Sequence, residues 1–172
     1  IGAGTVGLFI IKLLKIAGSS SVAAFDINKK SLEMASAAGA DCSILAGEAK
    51  VAELLRKSTA GRGADVVFEA VGKNETVNMA FELVRKGGKV VLVGNTSPQV
   101  NFPLQKVVTG EIKALGSCAI RGEYETILEF ISNGRLKVDD QILAVAPLSE
   151  GAEWFRKLYN RETEPGKVIL TP

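Results

Sequence analysis

Apolar positions recur along the chain at two alternating spacings. Val6, Ile10, Leu13, Leu14 and Ala17 lie near helical spacing across residues 5–17, and Gly18 ends the run. A short β-prone run over 21–25 follows and closes on Asp26. The alternation repeats as a helix over 29–38 closed by Gly39, a strand over 42–45, a helix over 51–58 and a Gly61-Arg62-Gly63 turn. Val66, Val67 and Phe68 then read as a buried strand ending at Glu69. Residues 75–84 read as a helix stopped by Gly87-Gly88, 89–93 as the most β-like segment, 103–109 as a short helix or turn, and 112–115 as a strand. Alternation of this kind, with nearly all-apolar strands, predicts an α/β fold: a doubly wound parallel sheet covered by helices on both faces.

After Gly116 the rhythm changes. Residues 123–133 form an amphipathic helical pattern, 142–145 a strand, 149–160 a helix with Ser149 as N-cap, and 167–170 a last strand. No internal repeat or low-complexity linker interrupts the chain.

Composition narrows the function classes. With 47% hydrophobic and 23% charged residues, the 172-residue chain has the balance of a globular protein. The net charge of +2 is spread among acids, so no basic stripe offers a nucleic-acid surface. Residues 6–16, the most apolar stretch, are too short for a bilayer and carry Lys12 and Lys15, so no membrane span is expected. Histidine is absent, and Cys42 and Cys118 read as buried small hydrophobes rather than a disulfide or metal pair. A reducing compartment, the cytoplasm, is the matching expectation.

The sharpest chemical signal is Gly2-Ala3-Gly4-Thr5-Val6-Gly7. Gly2 permits the tight turn out of a strand, Gly4 lets backbone approach a pyrophosphate, and Gly7 lets the helix lie close on the sheet. The N–H groups at the helix start, at the positive end of its dipole, then bind phosphates. Such a glycine pattern alone is weak evidence. Here a helix and a short strand follow, and that strand ends in Asp26, 24 positions after Gly2, where a carboxylate accepts from the ribose hydroxyls of a dinucleotide. The competing reading makes Asp26 the N-cap of the next helix. A carboxylate there repels a 2′-phosphate, which favours NAD over NADP, although Lys29 and Lys30 offset part of that repulsion. In the strand order 3-2-1-4-5-6 the glycine loop follows the central strand, yet only Ile1 precedes Gly2. The first strand is thus largely missing, and an apolar strand immediately before Ile1 is expected in the natural protein.

Several segments together resemble the medium-chain dehydrogenase/reductase superfamily, in its zinc-type polyol and alcohol dehydrogenase branch. They are the opening Ile1–Gly7 loop, Asp26-Ile27-Asn28-Lys29, Ala38-Gly39-Ala40-Asp41, the run from Gly61 to Glu69 with Gly72, the run from Gly87 to Gly94, Gly116-Ser117, and Gly166 to Leu170. Order and spacing agree along almost the whole chain, and the look is nearest to sorbitol (iditol), threonine and sugar-alcohol-phosphate dehydrogenases.

The resemblance implies roles position by position. Gly2, Gly4 and Gly7, with the backbone of Thr5 and Val6, match the pyrophosphate loop, and Asp26 and Lys29 the ribose site. Val71 and Gly72 match a strand end lining the cofactor cleft. Val93, Gly94 and Asn95 fall beside the nicotinamide ribose, Ser117 and Cys118 near the carboxamide, and Lys167 at a basic position near the pyrophosphate. Glu69 is expected as a cleft-wall or structural residue. Residues 1–119 are then an NAD-binding Rossmann domain, and 120–172 a segment returning to a catalytic domain. Trp154 and Phe155 would belong to the interface with that domain, exposed as an apolar patch on this chain alone. In this branch a zinc ion held by Cys, His and Glu of the catalytic domain polarises the alcohol oxygen. This chain has no histidine and offers neither a catalytic nor a metal residue.

The implied activity is oxidation of a secondary alcohol of a polyol, sugar or sugar phosphate, with a small-molecule alcohol as substrate and a homo-oligomer formed at the sheet edge between Lys113 and Ser117. Two alternatives stand beside it. A zinc-free quinone or enoyl reductase of the same superfamily normally uses NADPH and lacks the acid after strand two. A non-catalytic nucleotide- or S-adenosylmethionine-binding module shares the glycine loop but not the long match after it.

Overall fold

Helix-forming and strand-forming segments alternate in space as they do in sequence. The computed structural model describes residues 1–46, 51–160 and 162–172, and the chain divides into two compact units, Ile1–Ala119 and Ile120–Pro172. The first unit runs α1 (Thr5–Ile16), β1 (Ala23–Asp26), α2 (Lys29–Ala37), β2 (Cys42–Leu45), α3 (Val51–Ser58), β3 (Ala64–Glu69), α4 (Asn74–Leu83), β4 (Val84–Leu92), α5 (Leu104–Thr109) and β5 (Lys113–Gly116). Every strand pair is parallel: β1 with β2, β3 with β4, and β4 with β5.

Helices cover both faces, as the side chains of β1 and of the residue before it show. Val22 and Ala24 join one apolar cluster with Leu8 and Ile11 of α1 and Leu32 and Ala35 of α2. Phe25 joins another with Leu55 of α3, Val77 and Phe81 of α4, and Val67 and Val90 of the neighbouring strands. Successive strand residues point to opposite faces, so the two clusters lie on opposite sides of the sheet.

Ile1 holds the two halves of that sheet together. Its terminal nitrogen donates to Phe68 O at 2.7 Å, its carbonyl accepts from Ala70 N at 2.9 Å, and the next N–H, of Gly2, donates to Phe25 O at 2.8 Å. One residue thus stands between β1 and β3, the position of the first strand in the order 3-2-1-4-5-6.

Three sequence expectations need correction. The helix expected over 75–84 is present as Asn74–Leu83, but the strand expected over 89–93 begins at Val84, before Gly87-Gly88, because Val84 turns extended (φ −71°, ψ 143°) and pairs with Ala64. Gly63 makes room for this junction: a Cβ there would meet Leu83 O at 2.7 Å. Cys42 and Cys118 are both free and exposed rather than buried, since Cys42 opens the edge strand β2 and Cys118 follows the edge strand β5. The third correction lies in the second unit.

That unit consists of α6 (Tyr124–Ser132), β6 (Ile142–Pro147), α7 (Gly151–Tyr159) and β7 (Lys167–Thr171), with β6 and β7 paired in parallel. Ser149 does not cap α7. It sits inside a 3₁₀ turn, Leu148–Glu150, that follows the extended Pro147 and moves the helix start to Gly151. Phe155 and Tyr159 are 73% and 89% exposed. Trp154 is half-buried, with the Lys157 ammonium 4.9 Å from its ring centroid. Among the described residues no helix is long and apolar enough to cross a membrane.

Candidate functional site

Parallel pairing brings the ends of five segments to one edge of the sheet. Glu69 is in register with Leu92, and Leu92 with Gly116, so β3, β4 and β5 end in one row. Val71-Gly72, Val93-Gly94-Asn95 and Ser117-Cys118 therefore leave the sheet side by side. The bonds of Ile1 and Gly2 to Phe68, Ala70 and Phe25 bring the glycine loop and Asp26 to that edge too. In open parallel sheets this carboxyl edge is where ligands bind.

Each glycine of the loop meets a different demand. Gly2 has φ +86°, and a Cβ on it would lie 2.6 Å from Val71 Cγ2. Gly7 presses against the loop so closely that a Cβ would run into the Gly2 carbonyl. Gly4 is the contrast: it is exposed, and nothing lies within 4 Å of where its Cβ would be. Its absent side chain relieves no contact within the chain; it leaves space above the loop.

The start of α1 opens into that space. Leu8 N–H to Gly4 O, at 2.9 Å, is the first helical bond, so the N–H groups of Thr5, Val6 and Gly7 precede it. Gly4, the N-cap, supplies no side-chain acceptor for them. Three uncapped amides at the positive end of a helix beneath open space form a cradle for an anion. These residues fit a dinucleotide pyrophosphate.

Asp26 is fixed by backbone on both sides. Its Oδ2 accepts from Ala3 N at 2.7 Å and its Oδ1 from Asn28 N at 2.8 Å. A carboxylate has about four acceptor positions, so both oxygens keep capacity for ligand hydroxyls. The reading of Asp26 as the cap of α2 falls, because Asn28 is that cap, its Oδ1 accepting from Lys30 N at 2.9 Å and Ser31 N at 3.4 Å. Lys29 and Lys30 follow, both exposed.

The ends of β3 and β4 interlock. A Cβ on Gly72, where φ is +79°, would strike the backbone of Gly94 and Asn95; one on Gly94 would strike that of Val71 and Gly72. Ser97 N donates to Gly72 O at 2.8 Å, and the Thr96 hydroxyl donates to Val71 O at 2.5 Å. Glu69, fully buried, accepts from Val71 N at 2.9 Å and from Gly72 N at 2.9 and 3.0 Å. Ser117 N donates to Leu92 O at 2.9 Å, while Ser117 and Cys118 are exposed. Lys167, exposed at the start of β7, belongs to the second unit, and its role rests on resemblance alone.

Asn28 and Thr96 were not singled out from sequence. Asn28 had a readable signal, as an N-cap residue type directly before a helix. Thr96 had none, because its partner Val71 lies 25 positions away on another strand end.

Comparison with known proteins shows what the whole chain resembles. A family model described as zinc-binding dehydrogenase matches residues 5–133. A protein of Aspergillus terreus described as a probable D-xylulose reductase A is 31% identical over 175 aligned positions, spanning 99% of this chain and 48% of its own length. Among solved structures, the alcohol dehydrogenase TADH from Thermus sp. ATN1 superposes with a TM-score of 0.90 at 29% identity, covering 99% of this chain and 49% of its own. The L-idonate 5-dehydrogenase of Escherichia coli does so with a TM-score of 0.88 at 26% identity, covering 99% and 48%. The chain spans about half the length of the relatives it matches.

Proposed function

The chain belongs to the zinc-binding dehydrogenase family, and from that premise we propose that it is the NAD(H)-binding part of a zinc-dependent oxidoreductase. The whole enzyme oxidises a secondary alcohol of a polyol, sugar or sugar phosphate to a ketone. One observation carries the cofactor reading: an uncapped helix start beneath the open space at Gly4, beside a strand-end carboxylate anchored to the same loop. Gly2, Gly4 and Gly7 with the amides of Thr5 and Val6 take the pyrophosphate, and Asp26 with Lys29 the adenosine ribose. Val71, Gly72, Val93, Gly94, Asn95, Ser117 and Cys118 face the nicotinamide half. The Asp26 carboxylate repels a 2′-phosphate, which favours NAD over NADP.

Zinc does not fit the donors present here. The chain has no histidine, Cys42 opens β2, and Cys118 follows β5. The zinc ligands and catalytic residues belong to the part of the relatives that this chain does not span. The second unit continues into that catalytic domain, a reading supported by the exposed Phe155 and Tyr159 of α7. The names of the relatives, a D-xylulose reductase and an L-idonate 5-dehydrogenase, point to polyhydroxylated substrates. A homo-oligomer forms along the β5 edge, where all four strand residues are exposed, and the cytoplasm is the working compartment.

Steady-state assay of a full-length protein carrying this sequence tests the whole reading. NAD reduction with a five- or six-carbon polyol, lost on chelation and restored by zinc, is the expected result. Turnover that needs NADPH and an enone or quinone, indifferent to chelation, would replace the reading with that of a zinc-free reductase.

A further inference from the structure

We propose that Glu69 is a positioning residue of the cofactor cleft, setting the separation of the two strand ends that face the nicotinamide half. The inference rests on the NAD-binding reading above and adds a residue to which no ligand contact is assigned.

Glu69 serves both strand ends at once. Its carboxylate receives the N–H groups of Val71 and Gly72, which folds the chain back directly after β3. Its main-chain carbonyl receives Val93 N at 2.8 Å and Gly94 N at 2.9 Å, which fixes the end of β4. Between them Gly72 and Gly94 are packed backbone to backbone, with no space for a side chain on either. A shift of the Glu69 side chain is therefore passed to both turns.

The chemistry at this position calls for a carboxylate. Glu69 is 0% exposed, and a buried polar group is costly unless its hydrogen bonds are made. Gly72 N lies 2.9 Å from Oε1 and 3.0 Å from Oε2, so both oxygens act as acceptors. Glutamine is almost the same shape but has one oxygen, and its amide nitrogen in place of Oε2 would set two donors face to face. Aspartate is one methylene shorter and cannot reach both amides from the same backbone position.

The two halves of the cofactor separate this role from plain stability. The glycine loop and Asp26 hold the ADP half, and the hydrogen bonds that join them, Ala3 N to Asp26 Oδ2 and Gly2 N to Phe25 O, involve neither Val71 nor Gly72. A purely structural defect would leave the affinities of folded protein for both halves unchanged, or lower both together as the fold loosened.

The test measures dissociation constants of the 172-residue chain for NADH and for ADP-ribose, with a melting curve for each variant. Glu69→Gln is expected to weaken NADH roughly tenfold while ADP-ribose stays within about twofold. Val77→Ala, a core truncation in α4, controls for lost stability and is expected to leave both affinities unchanged. If Glu69→Gln fails to fold, Thr96→Val answers instead, since it removes the hydroxyl bond to Val71 O from the exposed side of the same turn and predicts the same selective loss of NADH. Unchanged NADH affinity, or equal loss of both ligands, in the variant measured would overturn the positioning role. Failure of the unsubstituted chain, shown to be folded by its melting curve, to bind either ligand would overturn the NAD-binding reading itself, and this inference with it.

Discussion

Ala3 and Asp26 are 23 positions apart in sequence and joined at 2.7 Å, the Ala3 N–H donating to Asp26 Oδ2. The carboxylate assigned to the ribose is thus also the anchor of the phosphate loop. Cofactor choice and loop geometry share one residue, so changing one disturbs the other.

Substitution of Asp26 separates these duties only in part. Asp26→Asn keeps one acceptor and removes the charge, and is expected to cost about 1–2 kcal/mol of stability. The preference for NADH over NADPH should shrink by roughly tenfold, mostly through better NADPH binding. Fluorescence titration with both cofactors, beside urea unfolding, checks both effects. A preference that survives intact would show that the carboxylate does not discriminate.

The loop glycines should divide cleanly. Gly7→Ala places a methyl group against the Gly2 carbonyl and should cost about 2–3 kcal/mol or more. Gly4→Ala meets nothing and should change stability by no more than about 0.5 kcal/mol. It should nonetheless weaken NADH at least tenfold, by filling the space above the cradle. A Gly4→Ala protein that binds NADH normally would remove the pyrophosphate from this loop.

Cys118 and Cys42 are both exposed, yet only Cys118 stands at the carboxyl edge of the sheet. Saturating NADH should slow alkylation of Cys118 at least severalfold and leave Cys42 unaffected. Mass spectrometry of partly labelled protein reads the two rates separately. Equal protection, or none at Cys118, would remove that residue from the cofactor cleft.

Elements set by local pattern were legible in the sequence; those set by distant partners were not. The helix over Val51–Ser58 and the strand over Cys42–Leu45 match the pattern of apolar residues and glycines. The start of β4 at Val84 was not legible, because Val84 leaves the helix to pair with Ala64, which lies 20 positions earlier. Ser149 has a strong capping propensity, but the chain after Pro147 tightens into a 3₁₀ turn first. The glycine loop was legible as a motif, with Gly4 read for pyrophosphate approach and Gly7 for packing; only geometry shows that Gly7 presses on the Gly2 carbonyl. The second acceptor duty of Asp26 was hidden for the same reason: a backbone N–H leaves no mark in sequence.

Titration of the 172-residue chain with NADH and NADPH, followed by fluorescence, tests the central claim most directly. Saturable NADH binding, at least tenfold tighter than NADPH and weakened by Gly4→Ala without loss of fold, is the expected result. Tighter binding of NADPH, or no binding of either by folded protein, would contradict the assignment of this edge as an NAD site.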